Sequence, residues 1–410
     1  MNAAKRNFLL LQGPSTPFFG RLADRLQADG HRVFRLNFCA GDAVHWGRRP
    51  ARNFRGNLAE LRDVLDEKYR KYDITDQVLF GDRRPVHQPA LEHGKVCQVR
   101  THVFEEGYFR PYWVTLERDG VNGHSLLPRD PDWYQEVGKS LLADGETVPF
   151  QSSFQVRAGH DVLYHVAGAL NPLLFSGYRT HAPVGAPLEY AAYLKRFSML
   201  KLIHARELRR SHALMASGVD YYVLPLQLNS DVQIRVHSRF ADMREVIEHV
   251  LESFARHAPG TTKIVIKNHP LDMGLMNFGK IIRDCERRLA IEGRVVYLED
   301  GNLVALVRRS LGLVTVNSTA GIVAIEEGQP TLTLSDPIYN LPGLTCQMSL
   351  DDFWRHGQKP DAELFTRFRR VLMAATQVNG GFYSRSGIDL ATANSCRVLT
   401  AERSPLEELF

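Results

Sequence analysis

The strongest constraint on this chain is an alternation that runs through it twice: short apolar runs closed by a polar turn, each followed by a stretch with helical spacing. Phe8-Leu9-Leu10-Leu11 closes at Gln12-Gly13-Pro14, Phe18 to Ala28 carries the helical period, and Val33-Phe34-Arg35-Leu36 returns to strand spacing. Gln77 to Phe80 closes at Gly81-Asp82, and a helix over about 85 to 94 and a strand over 99 to 104 are expected next. A loop-rich stretch from about 118 to 154 interrupts the pattern. It resumes with strands at 221–226, 263–267, 295–298 and 312–316, separated by helices near 243–258, 276–292 and 303–310. Repeated β-α-β units with short β-branched strands fold as parallel sheets covered by helices on both faces. A chain of 410 residues also exceeds one hydrophobic core. The expectation is therefore α/β with two Rossmann-like domains, 1–210 and 211–370, and a helical segment 371–410 that packs back on the first.

No stretch reaches the roughly 18 apolar residues of a spanning helix, and Phe8 to Leu11 is short for a secretory core, so a cytoplasmic protein is expected. The five cysteines (Cys39, Cys97, Cys285, Cys346, Cys396) are widely spaced with no CxxC pair, which predicts reduced thiols and no zinc site. The net charge of +5 favours anionic ligands or surfaces. No Walker GxxxxGK[ST], HExxH or GxSxG sequence occurs, which argues against P-loop, zincin and α/β-hydrolase chemistry.

In open α/β sheets ligands bind beyond the carboxyl ends of the strands, and five such ends carry unusual residues. Gln12-Gly13-Pro14 allows close backbone approach or simply makes a tight turn. Glu105-Glu106-Gly107, with Arg110 nearby, offers carboxylates for proton transfer or a solvated turn with an Arg110 ion pair. Gln227 to Asp231 ends a strand in a polar loop whose Asp231 suits a nucleophile or a turn cap. Lys267-Asn268-His269-Pro270 places a cation and an imidazole where a phosphate would sit. Asn317-Ser318-Thr319 precedes a helix-like run from Ile322 to Glu327, so that hydroxyls and free N–H groups meet at a helix start.

Taken in order, Gln-Gly-Pro (12–14), Gly-Asp-Arg-Arg-Pro-Val-His (81–87), Glu-Glu-Gly-Tyr-Phe-Arg-Pro (105–111), Pro-Leu-Gln-x-x-x-Asp (225–231), Lys-x-His-Pro (267–270), Val-Asn-Ser-Thr-x-Gly (316–321) and Ile-Tyr-Asn-Leu-Pro-Gly-Leu-Thr (338–345) resemble the capsule polysaccharide export and biosynthesis family of the KpsS/LipB type. The resemblance implies a GT-B-like fold with the two domains facing across a cleft. It also implies a retaining β-Kdo transferase that takes Kdo, a 3-deoxy-sugar acid, from CMP-Kdo to a phosphatidylglycerol-type lipid and so starts the poly-Kdo linker. In this reading Asp231 is the candidate nucleophile, Glu106 transfers a proton, and Lys267, His269, Ser318 and Thr319 hold the CMP phosphate. Gln227, Pro270, Asn317 and Glu326 complete the donor side, with Gln12, Gly13, Pro14, Glu105 and Arg110 on the acceptor side or in structural loops. No cofactor, metal or nucleic acid is implied. The partners would be the CMP-sugar, a lipid acceptor at the cytoplasmic face of the inner membrane, reached by the basic segment Lys195 to Arg210, and other capsule-assembly proteins. A CMP-sialic-acid-type transferase and a non-catalytic assembly subunit are the alternatives. One departure stands out: Asn268 occupies the position before His-Pro where a histidine is expected.

Overall fold

A computed structural model describes residues 5–141, 147–178, 186–228 and 238–410. The chain divides into two compact units, one of residues 1–128, 137–181 and 369–410 and one of 129–136 and 182–368.

Unit 1 is built on a seven-stranded sheet of order β12-β6-β5-β4-β1-β2-β3. Its strands are β1 (Asn7–Leu10), β2 (Arg32–Asn37), β3 (Arg52–Asn53), β4 (Asp76–Phe80), β5 (Arg100–Glu106), β6 (Trp113–Arg118) and β12 (Gln377–Asn379). The helices α1 (Phe18–Ala28), α2 (Ala40–Trp46), α3 (Leu61–Tyr72) and α4 (Gln88–Val96) connect the parallel strands. The first crossover follows directly from the sequence, since Phe18, Phe19, Leu22, Ala23 and Leu26 form one buried stripe of α1 over Phe8 and Leu10.

The sheet departs from the all-parallel expectation at one edge. β6 runs antiparallel to β5, and β12 pairs antiparallel with β6. Gly107 permits that reversal: a Cβ there would stand 2.0 Å from the Trp113 carbonyl oxygen. The loop-rich region contains α5 (Pro131–Ser140), and α6 (Phe154–Gly168) and α7 (Asn171–Leu174) follow it. Helix Arg385–Thr400 packs on α1 through Ile388, Ala391, Cys396 and Leu399.

Unit 2 carries a five-stranded parallel sheet of order β11-β10-β7-β8-β9: β7 (Tyr221–Pro225), β8 (Lys263–Lys267), β9 (Val295–Leu298), β10 (Gly312–Thr315) and β11 (Thr331–Thr333). Helices Met243–His257 and Phe278–Leu289 bury their apolar stripes against one face around Phe254, Ile266 and Trp354. The expected boundary at residue 210 falls inside α8 (Ala186–Ala216), whose helical pattern runs unbroken past that point. The expected boundary at 370 likewise falls inside helix Ala362–Thr376.

Candidate functional site

In unit 1 the carboxyl ends of β1, β4 and β5 lie side by side. Glu105 and Glu106 are the last two residues of β5, and strand alternation sends their side chains to opposite faces. Glu106 accepts a 2.6 Å hydrogen bond from the Tyr383 hydroxyl and faces the Arg157 guanidinium at 3.6 Å. Arg157 in turn lies over the Tyr383 ring, 4.4 Å from its centroid. The side chain of Glu106 keeps 22 % of its surface exposed, so it is held and still partly open to solvent. Burial pushes the Tyr383 phenol well above its ordinary range, and the Glu106 charge adds to this, so Tyr383 remains a donor.

Glu105 sits differently. Burial pushes its carboxyl up to about 7, against the 2.9 Å hydrogen bond it accepts from the Glu106 N–H, with the Glu106 charge raising it further. Arg110 is exposed and donates to the Gly107 carbonyl at 3.2 Å. Among the described residues the guanidinium paired with Glu106 belongs to α6 and not to the turn.

Gln12, Gly13 and Pro14 are all buried. The Gln12 amide reaches Asp42 at 3.3 Å and the Tyr164 hydroxyl at 3.2 Å, while Asp42 pairs with buried Arg35 at 3.5 Å. A Cβ on Gly13 would meet the Phe19 ring at 2.8 Å, so this glycine is required by packing. Helix α6 crosses both groups, offering Arg157 to Glu106 and Tyr164 to Gln12 from one face.

In unit 2 the ends of the adjacent strands β10, β7 and β8 bring together residues 90 and 40 positions apart in the chain. Gln227 and Asn317 exchange two hydrogen bonds, the Gln227 side-chain N–H to Asn317 Oδ1 at 2.9 Å and the Asn317 backbone N–H to Gln227 Oε1 at 3.3 Å. Lys267 is buried, its ammonium donating to the Asn268 carbonyl at 3.2 Å. Burial lowers its pKa and the Asp300 charge opposes this. Asp300 is itself held below its ordinary value, because His204, the Gly301 N–H and Lys267 outweigh the cost of burial. His269 takes the Leu271 N–H on Nδ1 at 3.1 Å, which leaves the ring presented by a fixed turn, and Pro270 is exposed beside it.

Asn268 is buried and ties this turn to its surroundings. Its amide donates to Asp272 at 3.1 Å and Glu299 at 3.3 Å, and its carbonyl oxygen accepts the His269 N–H at 2.8 Å. A neutral amide supplies both a donor and an acceptor here, which an imidazole at this position would have to do with one tautomer.

Thr319 stands at the N-cap of helix Ala320–Glu326, and the Ser318 hydroxyl accepts the Ala320 N–H at 3.2 Å. Buried Tyr339 donates its hydroxyl to the Ser318 carbonyl, and a Cβ on Gly321 would strike that phenol at 2.4 Å. Glu326 is not brought to this group: it is exposed on the last turn of the helix, about 9 Å along the axis from the first. Asp231 lies outside the described residues. The chain's one Asp-x-Asp sequence, Asp130-Pro131-Asp132, starts α5, with the Asp132 N–H bonded to the Asp130 carboxylate at 3.0 Å.

Residues of these groups that were given no role by sequence reasoning include Arg157, Tyr164, Tyr383 and Tyr339. The signal for Tyr339 was present in Ile338-Tyr339-Asn340. Arg157 and Tyr383 carried none, since only the folded sheet brings them to Glu106.

The two sheets and their covering helices make this a doubly wound α/β protein with polar residues gathered at two sets of strand ends. The chain belongs to the capsule polysaccharide biosynthesis protein family, whose model matches residues 75–383. It is 37% identical over 389 residues to the capsule polysaccharide modification protein LipB of Neisseria meningitidis serogroup B, covering 92% of each chain. It is 34% identical over 380 residues to the capsule polysaccharide export protein KpsS of Escherichia coli, covering 92% of this chain and 97% of the relative. Among solved structures, the β-Kdo 2,7 transferase of Thermosulfurimonas dismutans KpsC aligns over 89% of both chains with 13% identity and a TM-score of 0.41. Among the described residues no helix is long and apolar enough to cross a membrane.

Proposed function

We propose that this protein is a retaining β-Kdo glycosyltransferase that moves Kdo from CMP-Kdo to a phosphatidylglycerol-type lipid and so begins the poly-Kdo linker of a capsular polysaccharide. The observation that carries the reading is the carboxylate of Glu106, gripped by Tyr383 and Arg157 yet still exposed at a strand end, in a chain whose second sheet ends in Lys267, His269 and the Asn317–Thr319 turn. Its family and its relatives' names supply the capsule setting.

In the proposed reaction the donor's single phosphate is neutralised by Lys267, His269 and the polar turn at Ser318 and Thr319, as preorganised dipoles and charges stabilise a leaving group. Asp231 attacks the anomeric carbon as CMP leaves, and the acceptor hydroxyl displaces Asp231 in a second step, so two inversions retain configuration. Glu106 takes the acceptor proton. Tyr383 and Arg157 position it.

Helix α6 supports a lipid acceptor. Its inward face is polar, with Arg157 and Tyr164, whereas Phe154, Val162, Leu163, Val166 and, beyond it, Leu170 and Leu173 are 43–79 % exposed. Of these, Val162, Leu163 and Val166 fall within about 100° of one another around α6, the apolar stripe of an interfacial helix that rests on a bilayer. In this reading α6 and α7 are favoured for the peripheral membrane contact over the basic segment 195–210, where Arg196 and His204 engage Glu299 and Asp300.

The test is mass spectrometry of purified protein incubated with CMP-Kdo and short-chain phosphatidylglycerol. One added Kdo per lipid is expected from the wild type and none from Asp231→Ala, which should still bind CMP. Transfer from CMP-sialic acid instead would select the sialyltransferase-type alternative. No transfer from either donor would leave an assembly subunit.

A further inference from the structure

Away from both sets of strand ends, three side chains with different metal-binding atoms meet between α3 and α4. Their donor atoms, one each from Asp66, His93 and Cys97, lie within 4.8 Å of one another. His93 and Cys97 are four residues apart on one helix face, and Asp66 comes from the neighbouring helix. Because α4 returns antiparallel to β4, its last turn lies at the amino edge of the unit 1 sheet, opposite to Glu105 and Glu106.

The geometry distinguishes two kinds of Cys-His-Asp cluster. In a proton relay the thiol and the carboxylate address different ring nitrogens. Here both come nearest to the same one: Asp66 Oδ1 is 3.4 Å from His93 Nε2, and Cys97 Sγ is 3.5 Å from it against 3.9 Å from Nδ1. Zinc bound at about 2.0–2.3 Å from N, O and S in a tetrahedron sets neighbouring donors roughly 3.3–3.8 Å apart. Both measured separations fall in that range.

The surroundings fix the donors. The His93 ring stacks on Tyr69, 5.5 Å between centroids at an interplanar angle of 13°, and is buried. Arg70 occupies the other carboxylate oxygen of Asp66, leaving Oδ1 turned to His93. Cys97 is exposed, so an ion has a path in from solvent and room for a fourth, water ligand.

From these contacts we infer that Asp66, His93 and Cys97 form a divalent zinc site that clips α3 to α4. Binding exchanges the Cys97 thiol proton for a sulfur–zinc bond and releases the proton to solvent, so affinity rises with pH. The site is structural. It sits away from the proposed chemistry, and its failure leaves the glycosyltransferase reading untouched.

The experiment uses tag-free full-length protein, stripped with chelator and titrated with Zn(II) and, separately, with Co(II). One ion per chain is expected, with a thiolate-to-cobalt charge-transfer band and a higher unfolding temperature. Cys97→Ser and His93→Gln should each weaken zinc binding more than about 100-fold, beyond the 10–100-fold typical of losing an outer partner. The histidine variant decides between a built site and an exposed thiol acting alone, because it keeps Cys97. Zinc binding that survives His93→Gln, or wild-type protein that takes up no zinc, overturns the proposal. If His93→Gln unfolds, Asp66→Asn replaces it, and its binding must fall by at least about 10-fold.

Discussion

At the end of β5 the chain presents two adjacent carboxylates, Glu105 pushed up to about 7 by burial and Glu106 held by a phenol and a guanidinium. At the ends of β7, β8 and β10 it presents paired amides, hydroxyls and a buried lysine. The two edges share a β-α-β construction, and they differ in the residues that end each strand and in the side chains brought to them from elsewhere in the chain. A sheet edge whose carboxylate is bonded to a tyrosine suits a group that must gain and lose a proton. An edge of fixed dipoles around one cation suits an anion that must be held and then released.

The sharpest way to break this division is to remove the unit 1 carboxylate alone. Glu106→Gln keeps the shape and the Tyr383 contact but cannot accept a proton, so kcat for transfer should fall about 10²–10⁴-fold. Initial rates with saturating CMP-Kdo measure this. A variant within a few-fold of wild type would return Glu106 to a structural role and point to Glu105.

Glu105 sharpens the comparison through pH. Its folded pKa of about 7 lies above the ordinary 4.5, so the fold favours the protonated acid. The associated stability is complete below about pH 4.5 and is lost as pH rises through 7, roughly 3 kcal/mol in all. Denaturation midpoints compared at pH 5 and pH 9 should show less loss in Glu105→Gln than in wild type. A residual slope should remain from buried Glu117, which burial pushes up to about 8. Identical slopes in the two proteins would mean that Glu105 ionises in the folded state as it does in the unfolded chain.

Much of the framework was legible before the fold was known. Strands 263–267 and 295–298 and helix 18–28 emerge where the apolar periods place them, because each is closed by its own local turn residues. The antiparallel edge was not. β12 is three residues long and pairs with β6 some 260 positions earlier, so nothing local announces it. The same distance hid the partners of Glu106: Tyr383 lies 277 residues away in sequence, and Arg157 comes from α6, which follows the loop-rich stretch. Cys97 was read as an isolated thiol because spacing along the chain does not show that α3 brings Asp66 beside it.

The division of labour between the two edges is tested most directly by calorimetric binding of CMP to wild-type, His269→Ala and Glu106→Gln protein. Loss of one charge-assisted hydrogen bond, about 1.5–3 kcal/mol, should weaken CMP binding to His269→Ala roughly 10–100-fold. Binding to Glu106→Gln should stay within about twofold of wild type, as expected for sites without shared partners. The opposite pattern, CMP affinity intact without the imidazole and lost without the carboxylate, would contradict the account.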